Sequence, residues 1–201
     1  MSKINENFKS IYQEIINLLF TAVKKRDDPY HTPVFSCNSE NNFTDSRIVV
    51  LRKFDEKKMM LSFHTDIRSV KINALKKNPN SSLLFYNSKI RIQIRIRTES
   101  IINNQNKITK EAWMLTNLSS RKCYLANKSP SSYTSTPEDS LPDHLIGSNP
   151  SLKESEEGYK NFTVIQNKIL NIDWLHLSSA GHRRLNINIK NDLPIFNWVI
   201  P

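Results

Sequence analysis

Apolar residues recur along this chain with two different periods. Phe8, Ile11, Tyr12, Ile15, Ile16, Leu19 and Val23 follow a helical period. They predict an amphipathic N-terminal helix over residues 6–26. Lys24-Lys25-Arg26 places cations at its C-terminal end, where the helix dipole favours them, and Asp27-Asp28-Pro29 breaks it. Beyond this point the period becomes two. The clearest case is Lys89-Ile-Arg-Ile-Gln-Ile-Arg-Ile-Arg97, where Ile alternates with Lys89, Arg91, Gln93, Arg95 and Arg97. The pattern predicts a β-strand with one face of Ile in a core and four cations around one amide on the other. Like charges on one pleated face repel, so that face must meet water, carboxylates or a bound anion.

Other strands are predicted over His31–Cys37, Arg47–Arg52 and Met59–Phe63, the last two joined as a hairpin through Asp55-Glu56-Lys57-Lys58. A helix is predicted from Ser69 to Lys77, a strand from Ser82 to Tyr86, and the Ile-rich strand runs on through Ile102. Thr109 is read as the cap of a helix ending at Leu118. Residues 127–160 are rich in Ser, Pro, Asp and Glu and predict an irregular loop segment. Strands over Phe162–Ile165 and Asn171–Leu177 follow, then a closing hairpin, Arg184–Lys190 with Ile195–Ile200. Many short antiparallel strands flanked by a few helices predict an α+β, mainly β, barrel or sandwich, with residues 1–201 forming a single domain.

Composition narrows the function classes. Among 201 residues 38% are hydrophobic and 24% charged, which fits a folded rather than a disordered chain. No stretch is apolar enough to span a bilayer and the N-terminus lacks a secretory apolar region, so a cytoplasmic location and no membrane partner are expected. Cys37 and Cys123 stand in unrelated contexts and read as reduced thiols. The net charge of +10 draws anions, but the joint abundance of Lys, Asn and Ile marks part of it as compositional bias. The only glycines are Gly147, Gly158 and Gly181. They cannot form a dinucleotide-binding fingerprint or a P-loop. The five histidines show no metal-ligand spacing and no C-x-x-C occurs, so no metal site is expected. No catalytic acid, base or nucleophile stands out.

The segment Phe63-His-Thr-Asp-Ile-Arg-Ser-Val-Lys71 carries the most chemistry. A strand ends at Phe63 and a helix opens near Ser69. Free backbone N–H groups, the Ser69 hydroxyl and the Lys71 ammonium there can cradle a phosphate, and the same residues also read as an ordinary N-cap with a surface lysine. Arg47, Arg52 and the cationic strand add groups that could converge on one phosphate.

Arg47-Ile-Val-Val-Leu-Arg52, Phe63–Lys71 and Gln93-Ile-Arg95, followed by Ile172-Asp-Trp-Leu175, His182-Arg-Arg184 and Trp198 to Pro201, resemble the pyridoxamine 5′-phosphate oxidase-like, FMN-binding split-barrel family. The likeness is greatest to a poorly characterised branch first noted in cyanobacteria. The resemblance implies a split β-barrel homodimer with FMN at the subunit interface. It implies Arg47, Arg52, His64, Thr65, Ser69, Lys71, Gln93 and Arg184 as cofactor-binding residues, with His182 and Arg183 contacting substrate. The inner face of the Ile-rich strand would line the barrel, and its outer face would meet the flavin and second subunit. Some family positions differ. Val70 replaces an Arg, Arg52 a Lys, Leu175 stands where a flavin-contacting Trp is usual unless Trp174 takes its place, and Arg183-Arg184-Leu185 replaces Arg-x-His. The implied function is an FMN-dependent oxidoreductase acting on a small anionic molecule. Genuine pyridoxamine/pyridoxine 5′-phosphate oxidation is the alternative, followed by a non-catalytic flavin, heme or nucleic-acid binding barrel. Nucleic acid is disfavoured because Ile, rather than aromatics, interleaves the cations.

Overall fold

The computed structural model describes residues 7–39 and 43–201. Helix α1 (Phe8–Lys24) opens with Asn7 accepting the Lys9 N–H at 3.0 Å and buries Ile11, Ile15, Ile16, Leu19 and Ala22. Then come β1 (Val34–Asn38), β2 (Thr44–Ile48), β3 (Leu51–Asp55), β4 (Met60–Asp66), α2 (Val70–Lys77), β5 (Asn80–Asn87) and β6 (Ile92–Asn104). Helices α3 (Lys107–Met114) and α4 (Leu118–Arg121) precede an irregular stretch with short helical turns. The chain ends with β7 (Phe162–His176), β8 (Arg183–Lys190) and β9 (Leu193–Val199).

The strands form one antiparallel sheet in the order β2-β1-β5-β6-β7-β4-β3, with β8 on β7 and β9 on β8. This is the mainly β architecture with flanking helices that the strand pattern predicts, arranged as the split barrel that the family resemblance implies. β7 makes the split. Residues 162–168 pair with β4 and residues 171–176 with β8, while β6 runs along the other side of both halves. The register shifts where Arg97-Thr98 faces Asn171 and Ile169, leaving Leu170 as the extra residue of a bulge. The strand changes partner at that bend.

An inward-facing row of register partners, Phe35, Leu83, Ile96, Ile172 and Ile187, crosses five strands and is fully buried. The Ile face of β6 is therefore core, and Arg95 and Arg97 point outward. Ile96→Ala should cost about 2–5 kcal/mol in urea unfolding, because the cavity cannot collapse inside a paired sheet. Arg97→Ala should stay within about 0.5 kcal/mol. Equal losses would contradict this facing.

Several boundaries differ from the sequence reading. Lys89 and Arg91 lie in the turn before β6, and Arg91 has a φ of 54°, so the outer face carries two of the four expected cations. Arg47–Arg52 is not one strand but the end of β2 and the start of β3. Phe162 to His176 is continuous. Asn106, not Thr109, caps α3, with Thr109 as its reciprocal partner at 3.1 Å. Residue 6 of the expected N-terminal helix lies outside the described residues.

A second cluster of Trp113, Tyr124, Phe162 and Val164 fixes α3 and the segment after it to β7. Arg121 lies 4.5 Å from the Trp113 ring and pairs with Glu156 at 2.7 Å. Gly158 permits the close approach, since a Cβ there would sit 3.1 Å from the Tyr124 Cβ. This packing brings Thr116 and Ser120 to the cavities described next.

Candidate functional site

β2 and β3 lie at opposite ends of the strand order, and Val49-Val50 bridges them. Val49 N–H donates to Pro33 O at 3.0 Å and Leu51 N–H to His31 O at 2.9 Å, so the crossing is fixed. It brings Arg47 and Arg52 to one cavity of about 420 Å³, shared with His64, Thr65, Lys71 and Ser120.

The turn from β4 into α2 is held by Arg68. The buried Asp66 carboxylate accepts from the Arg68 backbone N–H at 2.8 Å and from its Nη2 at 2.7 Å, while Arg68 Nη1 donates to Ala126 O at 2.9 Å. Ser69 is the N-cap of α2, yet its hydroxyl makes no cap bond. It instead accepts from Lys71 Nζ at 2.7 Å, and Thr65 Oγ1 accepts from the same ammonium at 2.8 Å. Burial, and then the nearby Arg47 charge, pull the Lys71 pKa down to about 8. Arg47 pairs with Asp45, but its Nη1 is buried without a hydrogen-bond partner. A buried guanidinium N–H left unmade is costly. An anion with several acceptor oxygens, such as a phosphate, would satisfy Arg47 Nη1 and neutralise the excess charge shared with Lys71.

His64 lies edge-on to Phe162 with ring centroids 4.7 Å apart. Burial first, then Arg52, lower its pKa to about 4, so the imidazole is neutral near pH 7. His64, Arg52, Thr116 and Ser120 also line a second cavity of about 590 Å³, with apolar walls from Leu51, Met60, Ile108 and Val164 and with Lys24, Lys53 and Lys58 also lining it. Cys123 borders the smaller cavity; partial burial and then Asp66 raise its thiol pKa, which argues against an activated nucleophile.

Gln93 and Arg184 do not join this cluster within one chain. Both pair with Leu175, so the three form an outward-facing row across β6, β7 and β8. Arg47 pairs with Phe35, whose row faces inward. Beside Gln93 and Arg184, the buried carboxylate of Asp173 accepts from Arg95 Nη2 at 3.0 Å and from Arg184 Nη2 at 2.9 Å. Trp174 pairs with Ile94 and Leu185 in the core, so Leu175, not Trp174, holds the outer position. His182 Nδ1 accepts the Ser178 N–H at 3.1 Å within its own turn, and Arg183 Nη2 lies 3.3 Å from His176 Nδ1. The sequence reading missed Asp173, whose signal is an acid inside an apolar strand, and the wall formed by Thr116 and Ser120. Among the described residues no group of three or more His, Cys, Asp or Glu could hold a metal ion, and no helix is long and apolar enough to cross a membrane.

Residues 11–104 match the family described as pyridoxamine 5′-phosphate oxidase, FMN-binding domain. Over these residues the chain is similar to the pyridoxamine 5′-phosphate oxidase-like, FMN-binding family, as its sequence motifs imply. Its cofactor is accordingly FMN. The fold is shared with a pyridoxamine 5′-phosphate oxidase-related, FMN-binding protein from Nostoc punctiforme, at a TM-score of 0.76 and 16% identity over 94% of this chain and 97% of that one. PhzG from Burkholderia lata, crystallised with tetrahydrophenazine-1-carboxylic acid, gives 0.70 and 14% over 100% and 99%. A protein related to general stress protein 26, from Clostridium acetobutylicum, gives 0.58 and 12% over 93% and 100%. No curated protein matches the sequence.

Proposed function

We propose that this protein is an FMN-dependent oxidoreductase that works as a homodimer on a small anionic substrate. The observation that carries the reading is the unpartnered, buried Arg47 Nη1 beside the Lys71 ammonium. Arg47, Lys71, Ser69 and Thr65 would hold the FMN phosphate, and Arg52 and His64 would border the ring. When bound, the flavin supplies the capacity to accept or return a hydride. The chain's own groups position, neutralise and exclude water.

Two features support the finer parts. Gln93 and Arg184 face outward while Arg47 faces inward, so one flavin can meet both sets only if a second copy contributes its outer face. The 590 Å³ cavity shares Arg52 and His64 with the phosphate cavity, and its apolar walls, with cations outnumbering the carboxylates of Asp55 and Glu111, suit an apolar body with one acidic group. PhzG, of the same fold, was crystallised with a molecule of that kind.

Purified protein should be yellow, show flavin absorbance, release FMN on denaturation and sediment as a dimer. A colourless protein that does not take up FMN would refute the reading; salt-sensitive RNA binding in its place would favour a nucleic-acid barrel. Turnover of pyridoxamine 5′-phosphate to the aldehyde would instead establish vitamin B6 oxidation despite Arg183-Arg184-Leu185.

A further inference from the structure

The 590 Å³ cavity holds polar groups that the phosphate site does not use. His31, just before β1, is 8% exposed. Its backbone is fixed on both sides, since its N–H donates to Asp28 O and its carbonyl accepts the Leu51 N–H, each at 2.9 Å. Its Nδ1 lies 2.6 Å from Ala22 O, one of the last carbonyls of α1, which the helix itself leaves without a donor. A carbonyl oxygen only accepts, so Nδ1 carries a proton, and in the neutral ring Nε2 presents its lone pair. Nε2 makes no hydrogen bond among the described residues, and it is not sealed in protein as Arg47 Nη1 is. It opens to the cavity whose wall the ring helps to form.

Two further groups repeat this pattern. Met60, Ser62 and His64 alternate with the buried Leu61 and Phe63 on β4, and all three line the cavity. Ser62 is 5% exposed, and its hydroxyl has no partner among the described residues and is not sealed. Its register partner on β7 is Gln166, which also lines the cavity. Gln166 Oε1 accepts from Asn103 Nδ2 at 3.2 Å, which leaves its amide N–H groups to donate elsewhere.

Water satisfies such groups while the cavity is open. A ligand that displaces the water must replace its hydrogen bonds or lose affinity. Ser62 accommodates a donor or an acceptor. His31 does not, because a ring held by three hydrogen bonds cannot turn to another partner. A carboxylate oxygen only accepts, so it would oppose the Nε2 lone pair. The acid of a ligand therefore belongs with Arg52, Lys53 and Lys58, and another part of the molecule must face His31.

We propose that His31 is a specificity residue, selecting acids whose apolar body carries an N–H or O–H that donates to Nε2, while Ser62 and Gln166 serve acceptors in that body. The inference rests on the reading of this cavity as the substrate site, and it narrows the substrate from any apolar acid to one with a hydrogen-bond donor apart from its carboxylate. A site built to meet such a donor rejects the analogue that lacks it, because its own buried acceptor is then left unpaired.

The test is calorimetric titration of the full-length, FMN-loaded protein with three tricyclic acids of one shape. Carbazole-2-carboxylate has a ring N–H, dibenzofuran-3-carboxylate an oxygen in its place, and fluorene-2-carboxylate a methylene. The carbazole should bind at least about 10-fold more tightly than either of the others. The preference should vanish in His31→Phe, which keeps a ring and removes both nitrogens. It should survive in His31→Gln, which can donate to Ala22 O and accept from the ligand at once. Equal binding of the three acids by the wild type, no binding of the carbazole, or a preference that persists in a folded His31→Phe would overturn the proposal and leave water as the partner of Nε2. If His31→Phe does not fold, the wild-type ratio alone decides. All of these results are read on protein that already holds FMN, so they leave the flavoprotein reading intact; that reading fails separately, if the wild type takes up no FMN.

Discussion

Lys71→Met is expected to abolish tight FMN binding while raising the melting temperature of the FMN-free protein. Both effects have one cause. In the FMN-free chain Lys71 is a part-buried ammonium beside Arg47, and its pKa falls from 10.5 to about 8. Between those two values the folded state holds fewer protons than the unfolded state. The stability contribution of this group therefore rises with pH across that window and is unfavourable below it. Methionine keeps much of the stem and removes the charge, so at pH 7 the FMN-free protein should melt on the order of a few degrees higher. A phosphate reverses the balance, because the cation then has an anion to meet. Loss of its charge-assisted hydrogen bonds should weaken FMN about 100-fold.

Wild-type FMN affinity should also fall as the pH rises above about 8, where the free site loses the Lys71 proton, and the variant should show no such fall. Flavin fluorescence quenching and calorimetry of FMN-stripped protein measure the two effects. Unchanged FMN affinity would place the phosphate elsewhere. A lower melting temperature would mean that the bonds to Thr65 and Ser69 matter more to the fold than the buried charge. Arg47→Ala should weaken FMN comparably, since it removes the unpartnered Nη1.

The local part of this site was legible in the sequence because a short segment carries it. His64, Thr65, Ser69 and Lys71 lie within eight residues of one strand-turn-helix passage, and Arg47 and Arg52 flank one apolar run. The break inside that run was not legible. Val49 and Val50 look like strand, and the bonds to Pro33 and His31 that divide it come from residues distant in the chain. The alternation over Ile92–Arg97 was legible because one face is buried, whereas Lys89 and Arg91 extend the same letters into a turn that composition does not mark. The separation of Gln93 and Arg184 from Lys71 depends on register across three strands, which a linear reading cannot supply. Asp173 escaped notice for the same reason. Its partners Arg95 and Arg184 are 78 and 11 residues away, and only the pairing of β6, β7 and β8 makes them neighbours.

That triad supports the second large prediction. The Asp173 side chain is 9% exposed, and burial opposes its ionisation, but hydrogen bonds from Arg184 and Arg95 outweigh this and hold its pKa below the ordinary 3.8. Removing one partner of a buried pair leaves the others uncompensated, here two guanidinium groups converging on an empty place. Arg95 is half exposed and water screens part of the repulsion, so Asp173→Ala should cost about 2–3 kcal/mol at pH 7 in urea unfolding. The sign of the pH dependence follows from the depressed pKa. The carboxylate's contribution is present above the ordinary Asp value and is lost as pH falls through the lower folded value. The gap between wild type and Asp173→Ala should therefore narrow below about pH 4, and Asp173→Asn should keep the shape while losing most of the charge effect. A gap of constant size down to pH 2 would assign the loss to packing rather than charge. In the proposed dimer Arg184 meets the flavin held by the other copy. Asp173→Ala should then also weaken FMN, and it should do so no further in an Arg184→Ala background. Additive losses in that double variant would mean that Asp173 acts on the fold and not through Arg184.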